Sequence, residues 1–134
     1  MDNSLNQYST AALAYLGDSV WELLVRQMLV GKGISDSRHL NTEALGYVTA
    51  SAQAAALKKI LDALSEEENA VYHRGRNIGH TNVPKRATVM EYRMATGLEA
   101  LFGYLHLTGR SCRIEELFAM AFREGEENNE QSKG

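Results

Sequence analysis

Residues 12–24 read ALAYLGDSVWELL. Leu13, Leu16, Val20, Leu24 and, further on, Met28 recur at three- and four-residue spacing, the period of one face of an α-helix. The pattern predicts a helix that starts at a Ser9 or Thr10 cap, runs to Leu29 or Val30, and stops at the GKG of 31–33. Gly17 and Asp18 interrupt its apolar run. A glycine weakens a helix interior by about 1 kcal/mol relative to alanine, and a carboxylate among apolar neighbours is costly to bury. Asp18 and Glu22 lie four residues apart and so share a face, with Gly17 as a low wall beside the first of them. Taken alone, this pair reads first as a solvated polar stripe on a helix whose glycine permits close packing.

Outward from this segment the helical period continues, and no convincing strand pattern occurs, so the fold class is all-α. A short helix is expected between Ser37 and Gly46. TASAQAAALKKILDAL (49–64) follows, with a cap at Thr49 or Ser51. Ser65 with Glu68 and Thr88 with Glu91 have the spacing of capping boxes, opening helices toward Arg76 and Leu107. NIGHTNVPKR (77–86), with the only proline, breaks the regularity between them. Thr108-Gly109 ends the second of these helices, and Ser111 starts a last one expected to end near Gly125. The organisation read from this is one domain over residues 1–125 and an acidic, disordered tail over 126–134, which lacks apolar anchors.

A chain of 134 residues suits one domain and buries enough surface to need no disulfide or structural metal. Its single cysteine, Cys112, makes no internal disulfide and favours a reducing, cytoplasmic setting. No signal peptide and no apolar run of membrane-spanning length is apparent. The net charge of −3 argues against nucleic-acid binding until its distribution is read. Residues 73–93 carry Arg74, Arg76, Lys85, Arg86 and Arg93 against the single acid Glu91, while the acids gather in the tail. Separated charge makes a local positive field that the net value hides, and Lys85 and Arg86 just before a helix start suit a phosphate. The competing reading is an ordinary solvated loop.

Glu99 is the other unusual acid, set among Leu98, Leu101, Phe102 and Leu105 with Gly97 and Gly103 nearby. It reads either as an exposed acid paired with Arg93 or Arg110, or as a carboxylate placed deliberately at a buried face. The histidines 39, 73, 80 and 106 form no metal-ligand spacing, and the glycines form no dinucleotide or P-loop fingerprint.

LGDSV (16–20) on a first helix and GLEALFGYLHL (97–107) on a late one, in this order, resemble the ribonuclease III catalytic domain. ALAYLGDSVWELLVR (12–26), YVTASAQAAAL (47–57), RGRN (74–77) and VPKRATVMEYRMATGLEALFGYL (83–105) resemble the Mini-ribonuclease III branch, which lacks the double-stranded-RNA-binding domain of longer members. The resemblance covers about Tyr8 to Phe122. It implies an all-helical endonuclease domain working as a homodimer, Mg²⁺-dependent hydrolysis of double-stranded RNA, and maturation of 23S ribosomal RNA precursors. It also implies that Asp18 and Glu99 are the catalytic, metal-binding acids. Ala14 and Thr96 stand where the larger family has two further acids. Glu22 is left as a possible outer-shell acid, and Arg74, Arg76, Lys85, Arg86 and Arg93 as the RNA-binding set. Small residues at 14, 17, 97 and 100 are expected to let the two acid-bearing helices pack closely. Leu16, Val20 and Trp21 exceed what one helix stripe needs and are expected at a dimer interface. The rival readings are a catalytically silent RNA-binding dimer acting in ribosome assembly and a helical adaptor without nucleic acid.

Overall fold

A computed structural model describes residues 7–78 and 87–133, with side chains described as far as Phe122. The described residues form six α-helices and no strand: α1 Thr10–Gly31, α2 Ser37–Val48, α3 Ala50–Ile60, α4 Glu66–Arg76, α5 Val89–Leu107 and α6 Ser111–Lys133, with a 3-10 turn at Leu61–Ala63. Local chemistry accounts for the helix ends. Ser9, Asp36 and Thr49 cap the first three, each accepting from a backbone N–H three residues on. Both capping boxes form, Ser65 with Glu68 and Thr88 with Glu91. At the end of α5, Gly109 takes φ +73°, its N–H bonds to the His106 carbonyl and that of Arg110 to the Leu105 carbonyl. This double closure needs a left-handed residue, which glycine supplies without strain.

α5 is the centre of the molecule. Leu98, Ala100, Leu101, Phe102, Tyr104 and Leu105 are fully buried on it, and α1, α3 and α4 pack round it. Trp21 of α1 joins three neighbours: its Nε1 donates to the Tyr47 carbonyl of α2 at 2.8 Å, and its ring meets Phe102 of α5 and Phe118 of α6 edge-on, centroids 5.2 Å apart.

Two expectations change here. Trp21 and Val20 are 1% and 8% exposed within the single chain, so their bulk fills its own core and is not surface for a second copy; of the three residues expected at a dimer contact only Leu16 is partly exposed. The last helix runs past Gly125 to Lys133. Its Glu, Gln and Lys residues are good helix formers, and one glycine costs a helix only about 1 kcal/mol.

Candidate active site

α1 and α5 touch backbone to backbone. A Cβ at Gly17 would overlap the Glu99 carbonyl, and one at Gly103 would overlap the Leu13 carbonyl; Ala14 and Ala100 fill the same layer. Gly17 therefore opens no space beside Asp18 for a ligand: the backbone of α5 occupies it. Its effect is to let the helices meet, which sets Asp18, the next residue, beside Glu99. Gly97 does not face α1 as expected. It meets the Tyr72 ring of α4, and Gly75 of α4 packs against Gly97 and Ala100.

The two carboxyl groups lie close enough to hydrogen-bond to one another, Asp18 at the surface and Glu99 half-buried. Burial first, and then the negative charge of Asp18, push the Glu99 carboxyl from its ordinary 4.5 up to about 8. A third helix enters the site through Gln53 of α3, only 3% exposed, whose Nε2 donates to Glu99 Oε2 at 3.4 Å and opposes that rise. Sequence reasoning passed over Gln53. The available signal was its place as the one polar residue on the buried face of α3, beside Ala54, Ala56, Leu57 and Ile60.

The alternative partners for Glu99 are engaged elsewhere or remain apart. Arg110 grips Glu67 with both terminal nitrogens, at 2.6 and 3.3 Å, and Tyr104 donates to the same carboxylate. Arg93 is exposed on α5. Glu22 pairs with Arg26 at 3.3 Å and lines a groove of about 520 Å³ between α1 and α2, with Leu29, Leu40 and Leu45. Ala14 and Thr96 are both buried, and the Thr96 hydroxyl donates to the Tyr92 carbonyl at 3.0 Å. Neither adds charge to the site. Among the described residues no three His, Cys, Asp or Glu side chains gather as a metal cluster.

Of the basic set, Arg74 and Arg76 end α4 and are half-buried, Arg76 over the Tyr72 ring at 6.0 Å. Gly75 between them faces α5 and so is not open to a ligand. Lys85 and Arg86 lie outside the described residues.

The fold and the sequence have counterparts among known proteins. A family model, the Ribonuclease III domain, matches residues 11–110, which include α1, α3 and α5 with Asp18, Gln53 and Glu99. A Mini-ribonuclease 3 of Enterococcus faecalis is 42% identical over 92% of this chain and 96% of its own. Another, of Desulfitobacterium hafniense, is 44% identical over all of this chain and 85% of its own. A crystal structure of a Fusobacterium nucleatum protein matches with a TM-score of 0.82 at 32% identity, over 92% of this chain and 99% of that one. With fold and sequence alike over this span, the chain belongs to the ribonuclease III family of endoribonucleases, among the relatives named Mini-ribonuclease 3.

Proposed function

We propose that this chain cuts phosphodiester bonds of double-stranded RNA at a divalent-cation site made by Asp18 and Glu99. The observation that carries the reading is the meeting of these two carboxyl groups from separate helices. Burial and mutual repulsion make that meeting unfavourable unless positive charge joins it. The donor set fits Mg²⁺, which takes hard oxygen ligands and keeps several waters of its own, so two carboxylates suffice to hold it. When bound, the ion lowers the pKa of a coordinated water and neutralises charge on the phosphate.

The chain's own residues then have separate tasks. Asp18 stands at the surface, where a duplex can reach it. Glu99 is held from behind by Gln53, which limits its freedom to turn away. Exposed Arg93, with Arg74, Arg76, Lys85 and Arg86, supplies phosphate contacts; a protein reads duplex RNA by phosphates and 2′-hydroxyls across the minor groove. The reading extends to a homodimer, because a two-fold enzyme matches the two strands of a duplex. Tyr15 and Leu23, 85% and 57% exposed on the outer side of α1, support a contact there in place of Val20 and Trp21. Maturation of 23S ribosomal RNA precursors in the cytoplasm is the role we assign to the activity. The exposed free thiol of Cys112 accords with that compartment, and no described helix is long and apolar enough to cross a membrane.

The test is incubation of the protein with a long RNA duplex and Mg²⁺, beside Asp18→Asn and Glu99→Gln. The expected result is cutting by the parent alone, with duplex binding by all three. A silent RNA-binding dimer is the second reading, favoured by the buried, uncharged Ala14 and Thr96 at the two remaining acid positions. Binding without cutting by the parent would establish it.

A further inference from the structure

Gln53 is an unusual residue to find in this core. It is 3% exposed, on a helix face otherwise made of alanine, leucine and isoleucine. A buried amide needs donors and acceptors for both its ends. Nε2 reaches Glu99 Oε2 at 3.4 Å, a long bond, and Oε1 meets no donor among the described residues. The oxygen and nitrogen of one amide are about 2.3 Å apart. Oε1 therefore lies within about 6 Å of the Glu99 carboxylate. A Mg²⁺ ion held by a carboxylate carries waters whose hydrogens reach acceptors on the order of 6–7 Å from that carboxylate.

We propose that Gln53 is a positioning residue of the cation site: its Nε2 holds the Glu99 carboxylate, and its Oε1 accepts a hydrogen bond from a water on the bound divalent cation. The inference rests on the reading of Asp18 and Glu99 as that site. It gives α3 a part in the chemistry, and it makes the site a meeting of three helices. An outer group of this kind typically changes metal affinity by 10–100-fold.

The experiment is a Mg²⁺ titration of the full chain without RNA, followed by thermal melting and calorimetry, for the parent, Gln53→Met and Gln53→Glu. Met keeps the length of the side chain and removes both polar atoms. Without cation its melting temperature should equal or exceed the parental value. Its Mg²⁺ affinity should fall about tenfold, with a smaller cation-induced rise in melting temperature. Glu keeps an oxygen at the Oε1 position and adds a third acid beside Asp18 and Glu99. It should melt lower than the parent without cation and gain more from Mg²⁺ than the parent does. Cleavage by Gln53→Met should be slower in single turnovers, with duplex affinity unchanged. Parental Mg²⁺ affinity in Gln53→Met would overturn the proposal, as would a cation-induced rise in Gln53→Glu no larger than that of the parent. If Gln53→Met does not fold, the Gln53→Glu comparison decides alone. A parent whose melting ignores Mg²⁺ would overturn the cation site itself, a failure visible without any variant.

Discussion

A methyl group at Gly17 has nowhere to go, since the Glu99 carbonyl already fills its place. Gly17→Ala must push α1 off α5. Overpacking of this kind costs about 1–3 kcal/mol, against a gain in helix propensity of up to about 1 kcal/mol. Because Asp18 moves with the backbone, cleavage should fall much further than the stability loss implies; melting and cleavage measured together check this, and full activity in a folded Gly17→Ala would refute it. The acids themselves make a second prediction. Unfolded, Glu99 ionises near 4.5; folded, it keeps its proton to about 8. Between these values the folded state holds a proton that the unfolded state has released. The Glu99 contribution to stability is therefore complete below about pH 4.5 and is lost as pH rises to about 8. Asp18→Asn removes the charge repulsion and leaves the burial, so its loss should be shallower. Melts from about pH 5 to 9 without divalent cation should show the parent falling further than the variant; equal slopes would assign the whole effect to burial. That Asp18 and Glu99 belong together was legible only through the family resemblance, since helical periodicity alone reads Asp18 as part of a solvated stripe and leaves Glu99 open. Gln53 was not, because a glutamine in an alanine-rich helix looks like surface until the helix is seen to be covered.

The helix boundaries were readable because caps and stop signals are local chemistry: Ser9, Thr49, both capping boxes and Gly109 act within a few residues of chain. Which helix each glycine faces was not readable, since that depends on crossing geometry. Gly97 turned out to serve α4, the bulk of Trp21 turned inward to α5 and α6, and Val20 is buried in the same core. Elements distant in sequence are also tied by a polar clamp. Glu68, 4% exposed at the start of α4, accepts from Arg113 of α6 through Nε and Nη2, both at 2.8 Å, while Arg113 also donates to the Ala63 carbonyl. Those hydrogen bonds hold the Glu68 carboxyl below its ordinary 4.5. Arg113→Met would leave a buried carboxylate with only its capping bonds, a loss of about 3 kcal/mol. Denaturant unfolding near neutral pH measures it. With the usual sign for a depressed acid, the parent's advantage is present above about pH 4.5 and shrinks as pH falls through the folded Glu68 value. A variant within about 0.5 kcal/mol of the parent would show that the clamp is spare.

At the scale of the whole molecule the question is how a chain of net charge −3 holds a polyanion. The charge is divided: the acids at 124, 126, 127 and 130 belong to the end of α6, and the arginines at 74, 76 and 93 to the ends of α4 and α5. Each phosphate neutralised on binding releases counterions, so log affinity falls with log salt by about 0.7–0.9 per contact, between the values for single strands and B-form DNA. With few basic residues at hand, duplex binding should be weak and steeply salt-dependent. Arg93 is the sharpest probe of this: it is exposed and forms no ion pair among the described residues, so removing it disturbs little else. Arg93→Gln should leave stability within about 0.5 kcal/mol of the parent and the cleavage rate at saturating duplex unchanged. It should weaken duplex binding and lower the salt slope by about 0.7–0.9, the contribution of one phosphate. Titrations of an inactive Asp18→Asn background, with and without Arg93→Gln, at four or more salt concentrations give both slopes on uncut RNA. If the slope is unchanged while affinity drops, Arg93 acts on the fold of the site and not on a phosphate. If neither changes, the duplex does not cross that end of α5, and the positive segment must meet RNA through Arg74 and Arg76 at the end of α4.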